Sequence, residues 1–83
     1  MHARVLIRKR AGVKDPEGDA IRGALESLDF SGVGDVRIGK VIDLEVEAKD
    51  AAEAKEKVEQ MANRLLANPV MERFSIEILG EAS

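Results

Sequence analysis

The chain has 83 residues and a net charge of −3, with no cysteine and only two aromatic residues, Phe30 and Phe74. One small domain spanning 1–83 with an aliphatic core follows, and disulfides and thiolate metal sites are excluded. An acidic balance gives no electrostatic reason to bind phosphate backbones.

A domain of this size buries only about 60% of its unfolded surface, which favours self-association. No apolar run reaches the length of about 18 residues that a membrane span needs, and the first residues lack a signal-peptide pattern, so a cytoplasmic location is expected. The chemical inventory is thin. There is one histidine, His2, at an end expected to fray, and there is no Thr, Tyr or Trp. A Ser–His–acid arrangement would need His2 held rigidly.

In chain order, "ARVLIRK" over 3–9 reads as a strand, with Val5 and Ile7 on one side and Arg4, Leu6 and Arg8 on the other. Asp15 and Pro16 then form a helix start, as cap and first helical position. Ile21, Ala24, Leu25 and Leu28 follow at the spacing of one helix face. Gly18 and Gly23 weaken that helix by up to about 1 kcal/mol each relative to alanine, so tertiary packing must hold it.

Across 36–48, Val36, Ile38, Ile42, Leu44, Val46 and Ala48 are even-numbered, while Arg37, Asp43, Glu45 and Glu47 are odd. Only Lys40 interrupts the apolar side. A two-residue hairpin at Gly39-Lys40 would turn Asp43 onto the core face. A three-residue loop would put β-branched Val41 in a left-handed position. One long strand over about 35–48, bent at Gly39, is the expectation. At about 3.3 Å per residue it would run roughly 45 Å and overhang a compact domain of this length, whose diameter is near 30 Å. Gly34 and Gly39-Lys40 share the spacing of a phosphate-binding loop. Such a loop, however, opens a helix and carries Ser or Thr after the lysine, where this chain has Val41.

The second helix starts at Asp50, with Glu53 at capping-box spacing. Its apolar stripe is Ala54, Val58, Met61, Ala62, Leu65 and Leu66, and Glu53–Lys57 is a helix-spaced ion pair. Asn68-Pro69 ends it. "RFSIEIL" over 73–79 is a last strand with Phe74, Ile76 and Ile78 inward. The acidic runs Asp43–Glu47 and Glu53–Glu59 read as solvated faces.

Several segments together resemble one family. "AGVKDPEGDAIRGALESLDF", "VRIGKVIDLEV" and "LLANPVMERFSIEI" are similar, in order and spacing, to the PurS family, the small subunit of phosphoribosylformylglycinamidine (FGAM) synthase in purine biosynthesis. The motif residues include Gly12, Asp15, Pro16, Gly18, Gly39, Lys40, Asn68 and Pro69. Ala11 stands where the family commonly has proline, Asp29 where it has glycine, and Val41 where it has an aromatic. Asp29 adopts a left-handed conformation more readily than most residues.

The resemblance implies an α+β fold: a small, ferredoxin-like β-α-β-α-β sandwich. Its antiparallel or mixed sheet would carry two helices on one face and one long central strand. It also implies a dimeric, non-catalytic adaptor between a glutaminase subunit and a large synthetase subunit. ATP and Mg²⁺ would lie on the synthetase, with no cofactor, catalytic residue or metal on this chain. The assembly would convert formylglycinamide ribonucleotide, glutamine and ATP into formylglycinamidine ribonucleotide. Arg37, Gly39, Lys40, Val41, Ile42, Asp43, Leu44 and Val46 are the candidate interface residues, since exposed strand edges seek partners.

Two other readings compete. One is a regulatory module of ferredoxin-like type binding a small ligand at a dimer interface, which the β-α-β order permits. The other is nucleic-acid binding through Arg4, Arg8, Lys9 and Arg10. Against it stand the acidic balance and the scarcity of aromatics that stack bases.

Overall fold

A computed structural model describes residues 1–80. Strand β1 runs His2–Lys9, helix α1 Pro16–Ser27, strand β2 Gly39–Glu45, helix α2 Ala51–Met61 and strand β3 Glu72–Gly80. The sheet order is β2-β1-β3, and both pairings are antiparallel. Alternation fixes the two faces. Ala3, Val5 and Ile7 of β1 are buried, while Arg8 points to the exposed side. Phe74, Ile76 and Ile78 of β3 pack against the same core. The even-numbered phase of 36–48 also holds: Ile42 and Leu44 are half-buried, Val46 is buried, and Val41, Asp43 and Glu45 are exposed.

Helix α2 closes the core. Asp50 caps it, accepting the Glu53 N–H at 2.8 Å, and Lys57 pairs with Glu53 at 3.5 Å. Ala54, Val58 and Ala62 are fully buried against the sheet. At Ala62 the backbone widens into a π-helical turn, Ala62–Leu66, closed by Ala67 N–H to the Ala62 carbonyl. Of the expected stripe, Met61 and Leu65 therefore face outward, Leu65 with 83% exposure.

Two expectations for 35–48 are corrected. The strand is neither long nor central: β2 spans seven residues, about 23 Å, and lies at the sheet edge. The cause is Asp15. Its carboxylate takes the Ile38 N–H at 2.7 Å, so 36–38 serves α1 instead of extending the ladder. At the other end, the ladder continues one step, with Met1 and Val46 exchanging bonds of 3.0 and 2.9 Å. The hairpin is absent as expected, because Ile42 and Leu44 face Val5 and Ala3. His2 opens β1, with Nε2 at 3.4 Å from Glu45.

The helices also differ from the expected layer. Only α2 lies on the sheet. Of α1, Gly18 alone is buried, and Ile21 and Leu28 are 41% and 67% exposed. The molecule accordingly measures 50 × 30 × 15 Å with a radius of gyration of 16.3 Å, against about 12 Å for a compact chain of this length. An overhang exists, but it is made by α1 and not by the strand.

Candidate subunit interface

The sequence-derived interface residues are brought together on and beside β2. Gly39, Lys40, Val41, Ile42, Asp43 and Leu44 occupy its length, and Val46 lies one step past its end. Among the described residues β2 pairs only with β1, so its outer edge presents backbone donors and acceptors to whatever approaches. Val41 stands 58% exposed on the open face. Three of the charged members are already engaged. Asp43 accepts the Arg4 guanidinium at 2.8 Å, which holds its carboxyl below the usual range and raises Arg4. Arg37 donates to the Arg10 carbonyl at 3.1 Å, and Lys40 approaches Glu72 at 3.8 Å. Gly39 is required by closeness: a Cβ there would lie 2.7 Å from the Ile7 carbonyl oxygen.

The motif residues form a second group that sets the position of α1. Asp15 is 2% exposed. It accepts Gly18 N–H at 2.9 Å and Ile38 N–H at 2.7 Å, and Lys9 Nζ lies 3.2 Å away. Those two backbone donors, aided by Lys9, bring its pKa down to about 2 against the opposing effect of burial. Gly18 lies so close to Val36 that any side chain would strike the Val36 carbonyl. Pro16 follows at the helix start. Gly12 has φ +86°, in the turn where Val13 N–H meets the Arg10 carbonyl. At the far end of α1, Asp29 is left-handed at φ +67°, as its position in place of glycine implies. Asn68 builds the last turn: its Oδ1 accepts Val70 N–H at 3.0 Å and its carbonyl accepts Glu72 N–H at 2.7 Å. The Pro69 carbonyl takes Arg10 Nε at 3.2 Å.

A further exposed surface lies outside the sequence-derived interface residues: the apolar face of α1 with its C-terminal extension. Leu28 and Phe30, 67% and 57% exposed, continue from Ile21. The signal was present in the stripe, but a stripe does not reveal whether its own sheet or another surface covers it. Among the described residues there is no group of three or more potential metal ligands.

A family model, PurS, described as phosphoribosylformylglycinamidine (FGAM) synthase, matches residues 2–80. This chain belongs to the PurS family. The PurS subunit of phosphoribosylformylglycinamidine synthase from Synechocystis sp. is 43% identical over 93% of this chain and 77% of its own length. The crystal structure of Methanocaldococcus jannaschii PurS superposes with a TM-score of 0.83 at 41% identity, covering 92% of each chain. A chain of the PurLQS structure from Thermotoga maritima superposes with a TM-score of 0.82 at 34% identity, covering 92% of this chain and 94% of that one. Both superpositions extend over nearly the whole chain.

Proposed function

We propose that this chain is the non-catalytic small subunit of FGAM synthase, bridging the glutaminase and the ATP-dependent synthetase subunits in purine biosynthesis. The observation that carries this reading is end-to-end similarity to PurS subunits, one of them within a PurLQS structure. ATP and Mg²⁺ belong to the synthetase in this reading, and the assembly is cytoplasmic. The chain acts at least as a homodimer. The β2 edge, around Arg37, Gly39, Lys40, Val41, Ile42, Asp43, Leu44 and Val46, supplies a strand surface for contact, and the α1 face supplies an apolar one. Ammonia released by one subunit must reach a reactive intermediate in another before it escapes to water, and a fixed assembly supplies that proximity.

The test is reconstitution of the glutaminase and synthetase subunits with and without this chain. Product formation from glutamine should require the chain, while turnover by the purified chain alone should be absent. Unchanged glutamine-dependent synthesis in its absence overturns the reading.

A further inference from the structure

On the open face of the sheet, Arg8 of β1 stands directly opposite Arg73 of β3. Such partners have Cβ atoms about 4.5–5.5 Å apart, and like charges so placed destabilise a sheet. The other arginine of this face is paired. Four residues along β1, Arg4 faces Asp43 on one side and Glu77 on the other, with a 2.8 Å bond to Asp43. The neighbouring cations are also occupied. Arg10 donates to the Pro69 carbonyl, Arg37 to the Arg10 carbonyl, and Lys9 lies against Asp15. Among the described residues, Arg8 and Arg73 form no ion pair or side-chain hydrogen bond.

Between them lies an open cavity of about 370 Å³. Leu6 and Ser75 line it from the same face, with Ser75 two residues along β3 from Arg73, and Lys9, Ala11 and Phe74 complete the lining. On the other flank of Arg8 stands Gly39, which carries no side chain.

We propose that Arg8 and Arg73 form a binding site for the dianionic phosphate of a phosphate monoester. Two guanidinium groups match a charge near −2. Each presents a planar fork of donors, which suits the free oxygens of phosphate in bidentate pairs, and the Ser75 hydroxyl supplies a further neutral donor. A single carboxylate offers two oxygens and one charge, which one guanidinium already satisfies. Binding removes the repulsion that the cross-strand pair carries when empty. The site is independent of the adaptor reading.

The experiment is amide chemical-shift titration of the intact chain with inorganic phosphate and with a simple alkyl phosphate, at constant ionic strength. Saturable shifts should cluster at Leu6, Arg8, Arg73 and Ser75. Arg8→Gln and Arg73→Gln should each weaken binding about tenfold or more, while Arg22→Gln, on α1, leaves it unchanged. Alkyl phosphate binding should also strengthen as pH rises through about 6, where the monoester gains its second charge. Shifts that do not saturate, or affinity unmoved by either variant in chains whose other resonances are unchanged, overturn the proposal. Equal or tighter binding of glutarate, a dicarboxylate, overturns it too.

Discussion

The two helices carry comparable apolar stripes and meet opposite fates. α2 buries Ala54, Val58 and Ala62, whose small side chains let its backbone approach the sheet. α1 carries the larger Ile21, Leu25 and Leu28 and leaves most of them in water. One helix is part of the fold, and the other is held out from it by a polar clasp at its first turn. Burying a Leu or Ile side chain contributes roughly 1.5–3 kcal/mol, so α1 holds an unspent driving force of several such groups. A helix that withholds its apolar face from its own core is suited to covering another surface, which fits an adaptor.

Parallel charge insertions should break this comparison most sharply. Val58→Asp places a carboxylate at a fully buried position in an apolar core, and should cost more than about 4 kcal/mol, unfolding so small a domain. Leu28→Asp places the same charge on an exposed position and should leave the circular dichroism spectrum of the dilute chain native. Its effect should appear in sedimentation, as weakened self-association. Equal destabilisation by the two would show that α1 packs on its own sheet after all.

Gly18→Ala is the next test. The added methyl meets the Val36 carbonyl, a backbone atom that moves only if α1 or 36–38 moves with it. Overpacking of this kind costs roughly 1–3 kcal/mol, read as a lowered urea midpoint. The strain should fall on the clasp, so amide exchange should quicken at Ile38, whose N–H is held by Asp15, before it quickens in β1.

The acid limb of stability measures the clasp by itself. Asp15 has a folded pKa of about 2, below its ordinary 3.8. A carboxyl with a depressed folded pKa binds more protons when unfolded, so its stabilisation is fully present above about pH 4 and is lost as pH falls towards 2. Melting temperature should drop across that window. Asp15→Asn should be less stable at neutral pH and should show a shallower fall between pH 4 and 2.

Alternation and helix spacing made most of the fold legible. Val5 and Ile7, Phe74, Ile76 and Ile78, and the Asp50 cap all occupy the places their pattern implies, because each signal is local. The length of β2 was not legible, for a long-range reason. Residues 36–38 keep the strand phase, yet their pairing capacity is taken by Asp15, more than twenty residues earlier. Sequence identified Asp15 as a helix cap; nothing in it marked the second oxygen as the organiser of Ile38. The candidate interface residues read from the sequence fall on and beside β2, and the exposed face of α1 was not among them. An apolar stripe specifies that something must cover it, while the identity of the cover depends on how the connection after Ser27 is drawn away from the sheet. The Arg8–Arg73 juxtaposition required the register of β1 on β3, which no single strand encodes.

The smallest effect should come from the other glycine of α1, and it has the opposite sign. Gly23 is exposed in the helix interior, and a Cβ there meets nothing within 4 Å. It has no positive φ. Gly23→Ala therefore removes only the conformational freedom of the unfolded glycine and should stabilise by about 0.5–1 kcal/mol, visible as a raised urea midpoint with unchanged slope. The same substitution five residues apart on one helix should thus destabilise at Gly18 and stabilise at Gly23. The difference isolates the clasp, because helix propensity is common to both and cancels. If Gly23→Ala also weakens self-association, the face between Ile21 and Leu28 is covered closely enough that one methyl obstructs it. That outcome would narrow the contact surface on α1 to the side that carries residue 23.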